Sequence, residues 1–259
     1  MEDKPEEFYL TYQRFYYDPP EFQTVVLYGD LKLGQHLGYF RDDPKEMPAF
    51  LASNTESKGC TITPMGPNLF SALNTVLNEA ICKDISKKSA LKSLQTKLAD
   101  WAKTHGFDLQ PKNAEMKVRN SKSLAKTFHG AGMVVPYNKK TQLGYREIPE
   151  TNANLKKILA KIVESETDDE RDSNFDPLQE IITNVQFAND EGDPGMGLEL
   201  GLDLFCYGGE SLHSTLLHLF PVAYDLLNRP LYTRIIKVGE KPRSTFGQSS
   251  QTSLTYAKY

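Results

Sequence analysis

The segment QFANDEGDPGMGLELGLDLFCYGG, residues 186–209, ends an apolar pattern on Asn189, Asp190 and Glu191, just before Gly192. Carboxylates clustered in this way could hold a cation, border a nucleotide, or take a proton. A calcium loop needs oxygen ligands at positions 1, 3 and 5, glycine at 6 and glutamate at 12. Counting from Asn189 puts Glu191 and Asp193 at 3 and 5, but Pro194 at 6 and Leu200 at 12. The pattern fails at two defining positions. Gly195, Gly197 and Gly201 are spaced GxGxxxG, whereas a dinucleotide fingerprint is GxGxxG between a strand and a helix. Acids around those glycines would also repel a pyrophosphate.

Proton transfer fits better. Leu178, Ile181, Ile182, Val185 and Ala188 recur at three- and four-residue steps, which predicts a helix with one buried face. Asp176 is its expected N-cap, with Pro177 at the first helical position. Asp190 and Glu191 then fall in the last turn, and Gly192 suits a left-handed stop. Two anions there face the negative end of the helix dipole and each other. Both effects disfavour the ionised form, which suits a general base. A frayed helix end with solvated acids fits the same residues.

Other nucleophiles and ligands fare less well. Cys206 lies in the apolar run LDLFCYG and reads as core. His36, His105, His129, His213 and His218 show no HExxH spacing. His129, in KTFHGAG, sits among glycines that would allow close approach, but a packed histidine fits equally. Lys117, Arg119, Lys122 and Lys126 could touch phosphates or line a solvated loop, and no nucleic-acid motif accompanies them. Arg146, with Tyr145 beside it in GYREIPET, is a separate candidate. Arginine and tyrosine anchor interfaces, although a surface salt bridge is the plainer alternative.

The elements that must position these residues run from strands to helices. FQTVVLYG and LKLGQHLGYFRD read as a hairpin around Gly29-Asp30, and PAFLAS and CTITP as two further short strands. DPPEF is a turn, with Asp18 pushed to extended backbone by Pro19. NLFSALNTVLNEAICK is a helix with Asn68 as N-cap. SKKSALKSLQTKLADWAKTHG is a second, capped near Ser86 or Ser89, stopped at Gly106, with Leu91, Leu94, Leu98 and Trp101 as its stripe. AEMKVRNSKSLAKTFHGAGMVVPY reads as strand, basic turn, strand. A third helix runs from Asn152 to about Glu166, SETDDERDSN is a charged linker, and the fourth helix carries the carboxylates. SLHSTLLHLFPVAYDLLNRPLYTRIIK gives one or two more, bent at Pro221. The expected architecture is α+β: a mostly antiparallel twisted sheet packed with about five or six helices, concentrated in the C-terminal half. Residues 1–15 form a leader, partly disordered, residues 16–238 a single domain, and residues 239–259 a disordered polar tail.

The 259 residues, 39% hydrophobic and 25% charged, suit a globular core. No apolar run reaches the roughly 18 residues a spanning helix needs. The acidic N-terminus MEDKPEEFYL lacks a signal segment, pointing to an intracellular protein. Cys60, Cys82 and Cys206 fit neither a disulfide framework nor a zinc pair and read as buried, reduced thiols. The net charge of −4 hides a segregation. Between Lys83 and Lys126 eleven basic residues face four acids; between Glu164 and Asp203 thirteen acids face one base, Arg171. The acidic half could attract a basic partner, or both could be solvated helix faces.

Several stretches, taken jointly, resemble one family, the histone PARylation factors. They are YYDPPEFQTV (16–25), LGYFRD (37–42), KTFHGAGMVVP (126–136), GYREIPET (144–151), VQFANDE (185–191) and GMGLELGLDLFCYG (195–208). They keep the family's order over roughly residues 16 to 238, without most of the helical N-terminal region that family members carry. The resemblance implies an accessory factor that docks on the catalytic domain of a DNA-damage-activated poly(ADP-ribose) polymerase and completes a joint active site. It implies Glu191 as the base that deprotonates an acceptor serine, Asp190 as an interface acid facing a histidine of the polymerase, and Arg146, with Tyr145 beside it, as the docking element. NAD would be bound by the polymerase and no cofactor or metal by this chain. The implied partners are that polymerase and histone tails, with no membrane and no sequence-specific nucleic acid. The chain would act as a monomer in the nucleus, on chromatin at sites of DNA damage. Two other readings use the same residues: a non-catalytic acidic histone-binding module, and a self-sufficient hydrolase built on Asp190 and Glu191, which would need a deep pocket around them.

Overall fold

The computed structural model describes residues 5–239. Four antiparallel strands, β1 (Phe22–Leu27), β2 (Gln35–Phe40), β3 (Phe50–Thr55) and β4 (Thr63–Gly66), lie in the order β1-β2-β3-β4. The expected β1–β2 hairpin forms, with Phe22 opposite Phe40 and Leu27 opposite His36. Side-chain alternation gives the sheet two buried faces. Phe50 and Ala52 of β3 point into the main core, while Leu51 joins Leu37, Met65 and Ala72 in a second cluster.

Helices cover both faces. A short helix, α1 (Glu6–Thr11), lies within the leader and meets the C-terminal α9 (Pro230–Val238) through a 2.9 Å pair between Glu6 and Arg234. The second cluster is closed by α2 (Leu69–Lys83), whose Asn68 makes the expected N-cap as a full capping box with Ser71. Next comes α3 (Lys88–Thr104), which packs on α2 but has Lys87 at its N-cap without a side-chain cap. Neither Ser86 nor Ser89 fills that role. Of the expected stripe, Leu91 and Leu98 are half-buried, while Leu94 and Trp101 are exposed.

The segment from residue 114, expected as strand, turn and strand, begins instead with α4 (Ala114–Lys122). Asn113 caps it by accepting from the Met116 N–H. The extended remainder makes only an isolated bridge, Ala125 with Met133. Arg119 turns inward from α4. Its guanidinium donates to both carboxylate oxygens of Asp42 and to the Gly132 carbonyl, and lies against the stacked pair of Phe40 and Phe50 rings. It is therefore a structural cation and not a phosphate contact.

The C-terminal half is helical: α5 (Asn152–Glu164), α6 (Asp168–Asp190), α7 (Pro194–Tyr207), α8 (His213–Leu226) and α9. The charged stretch expected as a linker is the beginning of α6, capped by Thr167, with Asp168, Asp169 and Glu170 in its first turn. Those acids favour the positive helix N-terminus, and Pro177 lies inside the helix instead of opening it. Nine α-helices occur among the described residues, against five or six expected. The glycine-rich stretch accounts for one of the additions: α7 is buried from Gly195 to Phe205 and is the central helix of the core. Its glycines permit close crossings, since a Cβ at Gly201 would lie 3.0 Å from the Phe220 ring. The tail expected to be disordered lies outside the described residues from 240 onward.

The cysteines are free, as expected, but Cys82 is exposed, and the fold brings Cys60 and Cys206 to 3.0 Å between sulfurs. The DPPEF turn is held by Asp18, which accepts from Thr24 Oγ1 at 2.8 Å, His36 Nε2 at 2.8 Å and Asn54 Nδ2 at 3.1 Å.

Candidate functional site

The carboxylates close α6 as the periodicity predicts. Asp190 is its last residue and Glu191 its C-cap, with φ −88° and ψ −1°. Gly192 takes φ +91°, a conformation that disfavours any residue with a Cβ. The Gly192 N–H donates to the Asn189 carbonyl at 3.1 Å and the Asp193 N–H to Ala188 at 2.8 Å, a Schellman stop. Only residues 191–193 separate α6 from α7. The turn is therefore tight, and Glu191 stands at its apex with 59% of its side chain exposed.

Arg146 answers the negative helix end. Its Nη2 donates to Glu191 Oε2 and, at 3.0 Å, to Asp193 Oδ2. The hydrogen bond to Glu191 holds the guanidinium above its already high ordinary pKa. Nothing in the sequence connects the helix terminus to Arg146, 45 positions away. The fold joins them through Asp193, whose carboxylate is almost wholly buried. Asp193 occupies the N-cap position of α7 without capping it; its Oδ1 instead accepts from the Gly144 N–H at 2.8 Å.

The loop that carries Arg146 rests on the first turns of α7. The Gly195 N–H donates to the Gly144 carbonyl at 3.1 Å. A Cβ at Gly195 would lie 2.8 Å from that carbonyl oxygen and 2.9 Å from Val135 Cγ2, so only glycine fits without a shift. Tyr145 is half-buried, packs on the core, and donates its hydroxyl to Glu199 Oε2 at 2.9 Å. Burial first, and the Glu199 charge second, push the phenol far above its ordinary pKa, so it stays protonated as a donor. The four residues singled out from sequence thus gather at one end of the molecule. Asp190, Arg146 and Glu191 are exposed, while the Tyr145 hydroxyl points inward.

Several contributors were missed. Asp193 was weighed only as a calcium ligand. Phe187, one turn before Glu191, is 59% exposed, and Leu143 is 48% exposed beside Gly192. Phe187 could have been found, because it lies off the apolar face defined by Ile181, Val185 and Ala188. The groove of about 1080 Å³ between α4, the β2–β3 loop and residues 134–137 is lined by side chains outside this site, as is the small cavity beside α8. No metal-binding group of three His, Cys, Asp or Glu occurs among the described residues.

Below the loop lies a buried polar layer. The His129 Nδ1 accepts from the Ala131 N–H at 3.1 Å, which fixes a neutral ring, and burial followed by nearby Arg119 lowers its pKa to about 3. The glycines around it turn the chain, with Gly130 at φ +80° and Gly132 at φ +75°. Asp203 accepts from the Phe128 N–H at 2.7 Å and leaves its second oxygen without a partner. Burial is the main cause that raises its pKa to about 7.

The family model described as Histone PARylation factor 1 matches residues 1–243, which includes the leader. Relatives named Histone PARylation factor 1 from Bos taurus and Mus musculus are each 48% identical, over 89% and 86% of this chain and 67% and 65% of their own. One from Danio rerio is 46% identical over 89% of this chain and 66% of its own. The chain spans about two thirds of the length of these relatives. The chain belongs to the histone PARylation factor family.

Proposed function

We propose that the chain docks on a poly(ADP-ribose) polymerase catalytic domain and supplies Glu191 as general base for ADP-ribosylation of serine on histone tails. One observation carries the reading above all: Glu191 is a largely exposed carboxylate at the apex of a tight, rigid turn, with an arginine already placed beside it. A base in a deep pocket would serve its own chain; a base on a protruding helix end can enter another protein's site. A serine hydroxyl is a weak nucleophile that needs a base within hydrogen-bond reach. Glu191 takes the Oγ proton while the Oγ–ribose bond forms and the nicotinamide–ribose bond of the polymerase's NAD breaks. This chain then binds no cofactor itself.

Arg146 has two partners to choose between in this reading. In the free chain it covers Glu191; on docking it engages the polymerase and leaves the base open to the acceptor. Asp190 lies beside it as the interface acid, and exposed Phe187 and Leu143 offer apolar contact at the rim. The exposed acids along α6 attract Lys- and Arg-rich tails by long-range complementarity. Action on chromatin in the nucleus follows from those partners.

A self-sufficient hydrolase would need a deep pocket around Asp190 and Glu191, and the Glu191 side chain is 59% exposed. The acidic binding module is separable by experiment. Mixing the chain with the polymerase catalytic domain, NAD, broken DNA and a histone tail, and mapping modified residues by mass spectrometry, should move ADP-ribose from acidic side chains to serines. Tail binding that weakens with salt while the acceptor residue type stays unchanged would favour the binding module.

A further inference from the structure

Tyr145 stands next to the exposed Arg146, yet its functional atom faces the other way. The phenol hydroxyl donates to Glu199 at 2.9 Å, and Glu199 is only 8% exposed, on the second turn of α7. Burial pushes the Glu199 carboxyl above the ordinary range, and the hydrogen bond from Tyr145 offsets only part of that rise. The loop of residues 144–146 therefore meets α7 at three places in order: Asp193 takes the Gly144 N–H and Arg146, the Gly195 N–H meets the Gly144 carbonyl, and Glu199 takes the Tyr145 hydroxyl. The first two hold backbone and the guanidinium. Without the third, the Tyr145 side chain keeps only its packing on the core, and the stretch between the Gly144 anchor and Arg146 loses its one polar tie to α7 at that residue.

We propose that Glu199 is a positioning residue for docking: through the Tyr145 hydroxyl it seats the Arg146 loop on α7, so Tyr145 acts inward as a strut and does not meet the partner through its hydroxyl. The proposal rests on the docking role given to Arg146 above. A two-atom strut has a signature. Removing either end abolishes the same interaction, so removing both costs no more than removing one.

The test compares Tyr145→Phe, Glu199→Leu, the double variant and Glu199→Gln, which keeps an acceptor oxygen. Affinity for the polymerase catalytic domain and serine transfer at saturating factor are measured for each, with hydrogen exchange of the amides of residues 143–147 in the free chain. The strut predicts that Tyr145→Phe and Glu199→Leu each weaken docking by about 5- to 10-fold, the worth of one lost hydrogen bond. The double variant matches the singles, Glu199→Gln lies within about 2-fold of wild type, and Glu199→Leu transfers to serine at the wild-type rate once saturated. Loop exchange rises in Glu199→Leu and not in Glu199→Gln. Multiplying losses in the double variant, or weakened docking in Tyr145→Phe with wild-type docking in Glu199→Leu, would overturn the proposal, the second by placing the hydroxyl at the interface. If the wild-type chain does not dock, the reading of Arg146 fails instead; loop exchange then decides the strut alone, and exchange unchanged in Glu199→Leu overturns it.

Discussion

The Nη2 of Arg146 and the Oδ2 of Asp193 lie 3.0 Å apart, and the pair ties an exposed loop to a carboxylate that is almost wholly buried. Asp193 also holds the Gly144 N–H, so one side chain sets both the backbone and the guanidinium of the loop. Asp193→Ala should cost about 1–3 kcal/mol in urea unfolding, because it leaves a half-buried amide and part of the guanidinium without an acceptor. Docking on the polymerase should weaken along with it. An unfolding midpoint equal to wild type would remove Asp193 from this role.

The docking role proposed for Arg146 is separable from folding. The side chain is about half exposed, and exposed pairs contribute little to stability. Arg146→Glu should leave the far-ultraviolet circular dichroism and the cooperativity of unfolding close to wild type, while placing a third carboxylate beside Glu191 and Asp193. Pull-down of the polymerase catalytic domain should fall by more than about tenfold, the scale of an interface anchor. Retained pull-down would take Arg146 out of the interface.

Gly195 tests the seating of the loop from below. An alanine Cβ would meet the Gly144 carbonyl oxygen at 2.8 Å, a backbone atom that cannot rotate away. Gly195→Ala should destabilise by about 1–3 kcal/mol through overpacking and displace residues 144–146. Chemical-shift changes confined to α7 and leaving the loop unmoved would contradict that.

Much of this was legible in the sequence, and the misses share a physical cause. The hairpin, the Asn68 cap, the buried face of α6 and the Gly192 stop depend on local spacing, and they appear as expected. No helix is expected over residues 194–207, because glycine disfavours one. The glycines of α7 are there because neighbouring helices press on it, which is a tertiary fact. The charged start of α6 looked like a linker, since its apolar face begins only at Leu178; acids at the helix N-terminus and the Thr167 cap carry the earlier turns. Arg119 looked like one of several surface cations, and nothing local shows that Asp42, 77 positions away, waits for it. For the same reason local spacing places Asp190 and Glu191 at the helix end, while the Arg146–Glu191 pair, 45 positions apart, leaves no local signal.

The buried layer below the loop makes stability depend on pH. Asp203 holds its proton up to about pH 7 when folded, against an ordinary value of 3.8. The folded state binds more protons than the unfolded state in that window, so this contribution is full below about pH 4 and is lost as pH rises to 7. His129 acts in the opposite sense between its folded value of about 3 and its ordinary 6.5, favouring the folded state as pH rises. Asp203→Asn removes the first effect and keeps an acceptor for Phe128. It should be more stable than wild type at pH 8 by about 2 kcal/mol, with the gain shrinking toward pH 4. A gain that is the same at both pH values would show that Asp203 is not held protonated.

The central claim is that Glu191 is the base. Glu191→Gln keeps the size of the side chain and an acceptor for Arg146 but cannot take a proton. With polymerase, NAD, broken DNA and a histone tail, and with factor in excess of its measured dissociation constant, serine-linked ADP-ribose should fall by at least about 100-fold, the scale of general-base catalysis. Docking affinity should stay within a few-fold of wild type. Serine modification at the wild-type rate with docking intact would contradict the account.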